Sequence, residues 1–157
     1  MSIETVTAHL GTHGRAGDIL RTHGSSATVD EAAAAFGVEP ARIAKTLSFR
    51  GDSPDTCVLV VMAGDARTDN AAFKATFAMK ARMLAAEDVE RLTGHPVGGV
   101  CPFANPASAT VYLDTSLQRF ESVFPAAGSP DSALEVTPDE LEVLSGAAGW
   151  VTVSRLG

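Results

Sequence analysis

The sequence predicts an α+β domain built on a curved, mixed sheet flanked by short helices. Three observations carry that prediction. Two strand-like runs, Ile43–Arg50 (IAKTLSFR) and residues 56–63 (TCVLVVMA), are joined by the turn residues Gly51-Asp52-Ser53-Pro54 and read as an antiparallel hairpin. Two capping boxes, Thr28-x-x-Glu31 and Thr137-x-x-Glu140, open short helices. Strands and helices alternate irregularly, and neither a P-loop lysine motif nor G-x-G-x-x-G is present, which disfavours a doubly wound parallel sheet.

Taken in order, Ile3, Val6 and Leu10 stand at helical spacing, and Gly14 ends the run. A helix there puts His9 and His13 on one face. No acidic or cysteine partner accompanies them, so they read as surface histidines and no metal site is expected. The first capping box opens a helix closed by Gly37, and Pro40 opens another over residues 41–44 that feeds the following strand. Residues 56–63 are apolar on both parities, as in a central strand covered on both faces. Residues 64–67 read as a turn. Asp69 caps a helix through about Phe77, with Phe73 and Phe77 on one face. Residues 82–85 read as a short strand and 87–92 as a helix with acids in its first turn. Strands are expected at 110–113, 122–124 and 150–153, and Pro138 starts a helix to about Leu144. No repeat or linker interrupts residues 1–157, so one domain is expected.

Twelve Lys and Arg against nineteen Asp and Glu give a formal charge of −7, which argues against coating duplex DNA through its phosphates. It leaves room for a local basic pocket that takes one end of a nucleic acid. Eight of the twelve basic residues, all three lysines included, lie between Arg42 and Arg91, whereas residues 121–142 hold six acids and no base. Cys57 lies in an apolar run and reads as core; Cys101 lies in a Gly/Pro loop and is expected to be exposed. The two match no metal or redox spacing, which fits a reduced, cytoplasmic protein with no cofactor. The N-terminus has no apolar signal region and no run approaches a membrane span.

Lys45 is the residue that composition does not explain. Strand parity places it with Leu47 and Phe49, on the apolar side of its strand. Two readings are open. The lysine begins the strand and its stem snorkels to water, or it points into a pocket at the strand end and meets an anion or an ester there. A second unusual stretch is TGHPVGGVCPF at residues 93–103, with three glycines and two prolines. Such a loop is either a tight surface connection or a means of presenting N–H groups to an oxyanion or carbonyl.

Five stretches stand out in their order and spacing: ATVDEAAAAFGV at 27–38, IAKTL at 43–47, AGDAR at 63–67, TGHPVGGVCPF at 93–103 and AGSPD at 127–131. Together they resemble the YbaK family, also called the prolyl-tRNA synthetase-associated or EbsC domain. The likeness covers nearly the whole chain after Arg21 and is to the free-standing members. It implies an α+β domain with a barrel-like mixed sheet, and hydrolysis of the ester of a mischarged tRNA, chiefly tRNA(Pro) carrying a wrong small amino acid.

The family's lysine falls on Lys45. Its backbone loop falls on Gly98, Gly99, Val100, Cys101 and Pro102, and its Gly-Ser turn on Gly128 and Ser129, with Asp131 beside them. Thr46 stands where the alanine-specific members carry asparagine, so the substrate amino acid stays open. The resemblance also implies that the substrate's own groups supply the base.

With so acidic a chain, contact is expected only at the tRNA acceptor end, with Lys74, Lys80 or Arg82 on phosphates. A synthetase such as prolyl-tRNA synthetase, or an elongation factor, would deliver the substrate. Two rival readings are a module that binds tRNA or an aminoacyl group without turnover, and an enzyme whose Lys45 forms a Schiff base.

Overall fold

The hairpin predicted at the centre is the spine of the sheet. In the computed structural model, which describes residues 2–22 and 28–156, the chain starts with helix α1 (Ser2–Gly11), whose Val6 and Leu10 are buried. A two-residue strand, β1 (Leu20–Arg21), follows. Helix α2 (Val29–Phe36) forms where Thr28 and Glu31 cap one another, and Gly37 ends it in the left-handed conformation. Pro40–Arg42 makes a single 3-10 turn, one residue shorter than expected, and leads into β2 (Ile43–Arg50).

β2 turns into β3 (Cys57–Ala63), with Ala44 opposite Ala63 and Arg50 opposite Cys57. Every residue of β3 is buried, and Leu59 through Ala63 have no exposed surface. Each large side chain buried there stabilises the fold by about 1.5–3 kcal/mol, so this strand anchors the domain.

Residues 64–67 depart from expectation. Ala66–Thr68 is a strand, β4, rather than part of a turn. Asp69 then caps α3 (Asn70–Phe77) by accepting from Ala72 N at 3.1 Å. Phe73 packs on Phe49 and Phe77, each pair with ring centroids 4.7 Å apart. The strand expected at 82–85 is reduced to one bridge between Met83 and Phe49. Helix α4 (Ala86–Thr93) and strand β5 (Ala109–Asp114) follow. β6 (Phe124–Pro125) is shorter than predicted, and β7 (Ser132–Ala133) was not foreseen. Helix α5 (Pro138–Ser145) has the second capping box, with Pro138 in its first turn. β8 (Gly149–Val151) and β9 (Ser154–Leu156) end the chain where one strand was predicted.

The five-stranded sheet runs β6-β2-β3-β5-β8. It is antiparallel between β2 and β3, and parallel at the other three pairings. Two small ladders, β1 with β7 and β4 with β9, close its flanks. Buried Asp114 fixes one corner: its carboxylate accepts from Ser116 N at 2.9 Å, Val153 N at 2.8 Å and Ser154 Oγ at 2.5 Å. A second, smaller apolar cluster of Ala32, Ala33, Ile43 and Phe124 lies apart from the main core, and its Ala32, Ile43 and Phe124 line a cleft. Among the described residues, no helix is long and apolar enough to cross a membrane.

Candidate functional site

β2 forms the floor of a cleft of about 470 Å³, closed on one side by α2 and β6 and on the other by the start of α4 and the glycine loop. Its lining is mostly apolar, from Phe36, Ile43 and Phe124 to Leu84 and Val89, with Thr28, Thr46, Ser48, Ser129 and Ser132 as polar exceptions. Among the described lining residues, Lys45 is the sole charged side chain.

Lys45 does not run out to water. Its Nζ turns onto two main-chain carbonyls, Ala66 O and, at 3.4 Å, Gly64 O. An ammonium has three N–H donors, so one remains for a ligand. Burial pushes the Lys45 pKa below its ordinary value, and the charge of Asp65 partly opposes this. Asp65 is itself held by a two-pronged pair with Arg119, at 2.6 and 3.1 Å. That guanidinium hydrogen bond is the main reason its carboxyl lies below the usual range.

The carbonyl seat depends on a close approach. A Cβ on Gly64 would lie 2.0 Å from Pro40 O and 2.8 Å from Val29 Cγ1, so only glycine lets the 3-10 turn and α2 rest against it.

The glycine loop is split between a buried root and an exposed tip. His95, Cys101 and Phe103 have no exposed surface, whereas Val97 is 66% exposed. The His95 ring bridges the root to α1. Nε2 faces Phe103 O at 2.8 Å, and a carbonyl only accepts, so Nε2 carries the proton and Nδ1 accepts from Ser2 Oγ. Burial lowers the His95 pKa and keeps the ring neutral. Cys101 is not the exposed thiol its Gly/Pro surroundings led us to expect. Its sulfur lies 3.4 Å from His95 Nε2, and burial pushes its pKa up to about 12, which rules out an attacking thiolate.

Gly98 and Val100 line the cleft; Gly99, Cys101 and Pro102 do not. Gly99 spends its N–H on Pro96 O at 2.9 Å, while the N–H groups of Gly98, Val100 and Cys101 donate to no group among the described residues.

The third wall is the Gly128 turn. Gly128 has φ 106°, and a Cβ there would meet Ser2 O and Ile3 Cα at 2.9 Å, so the turn is seated directly on the start of α1. Ser129 lines the cleft and donates to Asp131 Oδ1 at 2.5 Å, and Arg21 reaches Asp131 Oδ2 at 2.8 Å. Those two bonds, the serine's first, hold the Asp131 pKa down. Asp131 thus supports Ser129 from behind and does not line the cleft.

The expected phosphate contacts are dispersed. Exposed Arg82 directly precedes Met83 and Leu84 on the rim and exposed Lys80 lies just before it in sequence, whereas exposed Lys74 sits on α3, whose Phe73 packs under Phe49. His9 and His13 lie with ring centroids 5.3 Å apart, but His9 Nε2 is bonded to Leu144 O at 2.7 Å. Among the described residues, no third metal-ligating side chain joins them. Residue-level reading missed the Gly64 and Ala66 carbonyls and the rim residues Met83 and Val97. Their only advance signals were the AGDAR stretch and apolar residues among loop-forming ones.

Residues 23–144 match the family model of the aminoacyl-tRNA editing domain. The chain is 48% identical over 155 residues to the uncharacterised protein YwhH of Bacillus subtilis, covering 99% of this chain and 98% of that one. It is 30% identical over 107 residues to the proline–tRNA ligase of Caldicellulosiruptor bescii, matching 66% of this chain but only 18% of the ligase. A solved structure named "putative trans-editing enzyme for prolyl tRNA synthetase" superposes with a TM-score of 0.86 at 30% identity, covering 98% of this chain and 97% of that one. With this fold, this cleft and a family match over most of its length, the chain belongs to the aminoacyl-tRNA editing domain family.

Proposed function

We propose that the protein is a trans-editing deacylase that hydrolyses the ester of a mischarged tRNA, in the first instance tRNA(Pro) carrying a small non-cognate amino acid. The observation that carries this reading is Lys45, the sole charged side chain among the described lining residues, with one N–H donor left over. In this reading the ammonium holds the terminal phosphate or ribose of the acceptor end, and the N–H groups of Gly98 and Val100, which donate to no group among the described residues, face the ester carbonyl. Water attacks that carbonyl and the acyl–oxygen bond breaks. One water proton passes to the ribose oxygen and the other leaves with the amino acid's new carboxyl group.

No carboxylate or imidazole lines the cleft among the described residues, so the base that activates the water comes from the substrate. The apolar walls select small side chains only modestly, by about 1–3 kcal/mol per methylene. Lys80 and Arg82 at the rim, with Lys74, contact phosphates. The reaction takes place in the cytoplasm, with a synthetase or elongation factor delivering the tRNA. A Schiff-base role fits poorly, because two carbonyls hold Lys45 as an ammonium.

The test is a deacylation screen over tRNA(Pro) and other tRNAs charged with small amino acids, read as enzyme-dependent release above the uncatalysed rate. Release of one or a few non-cognate amino acids supports the proposal. Tight binding with no release from any of them would instead identify a non-catalytic module.

A further inference from the structure

Among the described residues, the outer edge of β2 is covered at both ends and open at one residue. At its start, Ile43 and Ala44 pair with Phe124 and Pro125, and β6 then leaves β2, its next residue Ala126 bridging to Ala133. At its far end, Leu84 N donates to Ser48 O at 3.1 Å and Arg50 N donates to Arg82 O at 2.7 Å. Ser48 and Arg50 therefore turn their main-chain groups away from β3.

In an antiparallel ladder that orientation alternates, so Thr46 does the same. The inner side agrees. Gly51 N reaches across the turn to Thr56 O at 3.0 Å, and Ala63, opposite Ala44, gives its N–H to Ser116 Oγ rather than to β2. Thr46 is thus the one outward-facing residue between the two covers. It lines the cleft, and among the described residues its N–H and C=O have no partner beyond that edge.

An open N–H and C=O on one strand residue form half of a ladder step, complementary to one residue of an extended chain. An α-aminoacyl ester has the matching pair, an amine donor and a carbonyl acceptor. The cleft is also selective about charge: it has a cation in Lys45 and no carboxylate among its described lining residues, so an ammonium entering it gains no ion pair.

We infer that the main chain of Thr46 holds the aminoacyl group as one added strand residue, the uncharged α-amine donating to Thr46 C=O and the ester carbonyl accepting from Thr46 N–H. This rests on the deacylase reading and names the part of the substrate that the site recognises. Any amino acid offers the same two groups, so discrimination falls to the apolar walls. As the tetrahedral oxyanion forms, Thr46 N–H joins those of Gly98 and Val100 in stabilising it.

The experiment compares three esters on one tRNA minihelix: the amino acid found in the screen, its α-hydroxy counterpart and its des-amino counterpart. For alanine these are the alanyl, lactyl and propionyl esters. The hydroxyl keeps a neutral donor and the des-amino acyl group has none. The lactyl ester should stay within about threefold of alanyl in kcat/KM, and propionyl should fall about tenfold, the value of one hydrogen bond. Equal rates for alanyl and propionyl would overturn the inference while leaving the deacylase reading intact. A lactyl ester as poor as propionyl would overturn it too, by showing that the charged amine is what is bound. If none of the three is cleaved above background, the deacylase reading itself falls. On the protein side, replacing the Thr46 amide by an ester linkage removes its N–H. It should lower kcat/KM about tenfold, and an unchanged kcat/KM would contradict the assignment.

Discussion

The strand wall and the loop wall of the cleft position their groups by different means. Lys45 stands on a strand whose neighbour β3 is wholly buried, and its ammonium is tied to two carbonyls. The glycine loop has no ladder. Its root is fixed by buried side chains, His95 to Phe103 O and to Ser2, with Cys101 packed alongside, while Val97 and Gly98 project from it. The difference teaches that the lysine's position is set by the backbone around it, and the loop's position from behind.

The largest effect is expected where the strand wall has no room to yield. Gly64→Ala forces a Cβ to within 2.0 Å of Pro40 O and displaces a carbonyl that holds Lys45. Stability should fall by roughly 3 kcal/mol in urea unfolding, and deacylation should fall with it. A Gly64→Ala protein of normal stability would show that the seat is looser than described.

On the loop side, His95→Ala removes the imidazole donor from Phe103 O and opens a cavity at a fully buried position. It should cost about 2–3 kcal/mol, while the Lys45 titration observed by NMR stays where it was. A shifted lysine would mean that the two walls are coupled.

The capping boxes offer a smaller, paired test. Thr28→Ala and Thr137→Ala should each lose about 1 kcal/mol. Only Thr28 lines the cleft, so only the first should also change kcat/KM. Equal activity losses would place the effect in global stability. Smallest in stability is Val97→Ser at the loop tip, within about 0.5 kcal/mol of wild type, yet it should weaken substrate binding.

The titration of Lys45 sharpens the same contrast. Its folded pKa is depressed, so burial penalises the charged form fully at lower pH. That penalty is relieved as pH rises from the folded pKa toward the ordinary lysine value of 10.5, and stability should rise across that window. Asp65 works against the depression, so Asp65→Asn should move the lysine's NMR titration to lower pH. A shift to higher pH would contradict the electrostatic account.

What was legible in the sequence was local. The hairpin, both capping boxes and the Asp69 cap are set by neighbours a few residues away, and each stands where it was read. β4 and β9 were hidden because each is a strand by pairing with a distant segment, Ala66 opposite Leu156; so too β1 and β7, with Leu20 opposite Ala133. Cys101 was misread because a Gly/Pro loop signals exposure, whereas this one folds its root into the core. For Lys45, parity left two readings open. What separates them is a pair of carbonyls some twenty residues further along, at Gly64 and Ala66, which no periodicity announces.

The most direct test of the central claim is single-turnover deacylation of a mischarged tRNA(Pro) from the screen by wild type, Lys45→Ala and Lys45→Arg. All three are to be shown folded by coincident thermal unfolding. Both variants should lose at least about a hundredfold in rate, the arginine because its planar fork does not fit the seat made by Gly64 O and Ala66 O. A folded Lys45→Ala protein that deacylates at a near-normal rate would contradict the placement of the reaction in this cleft.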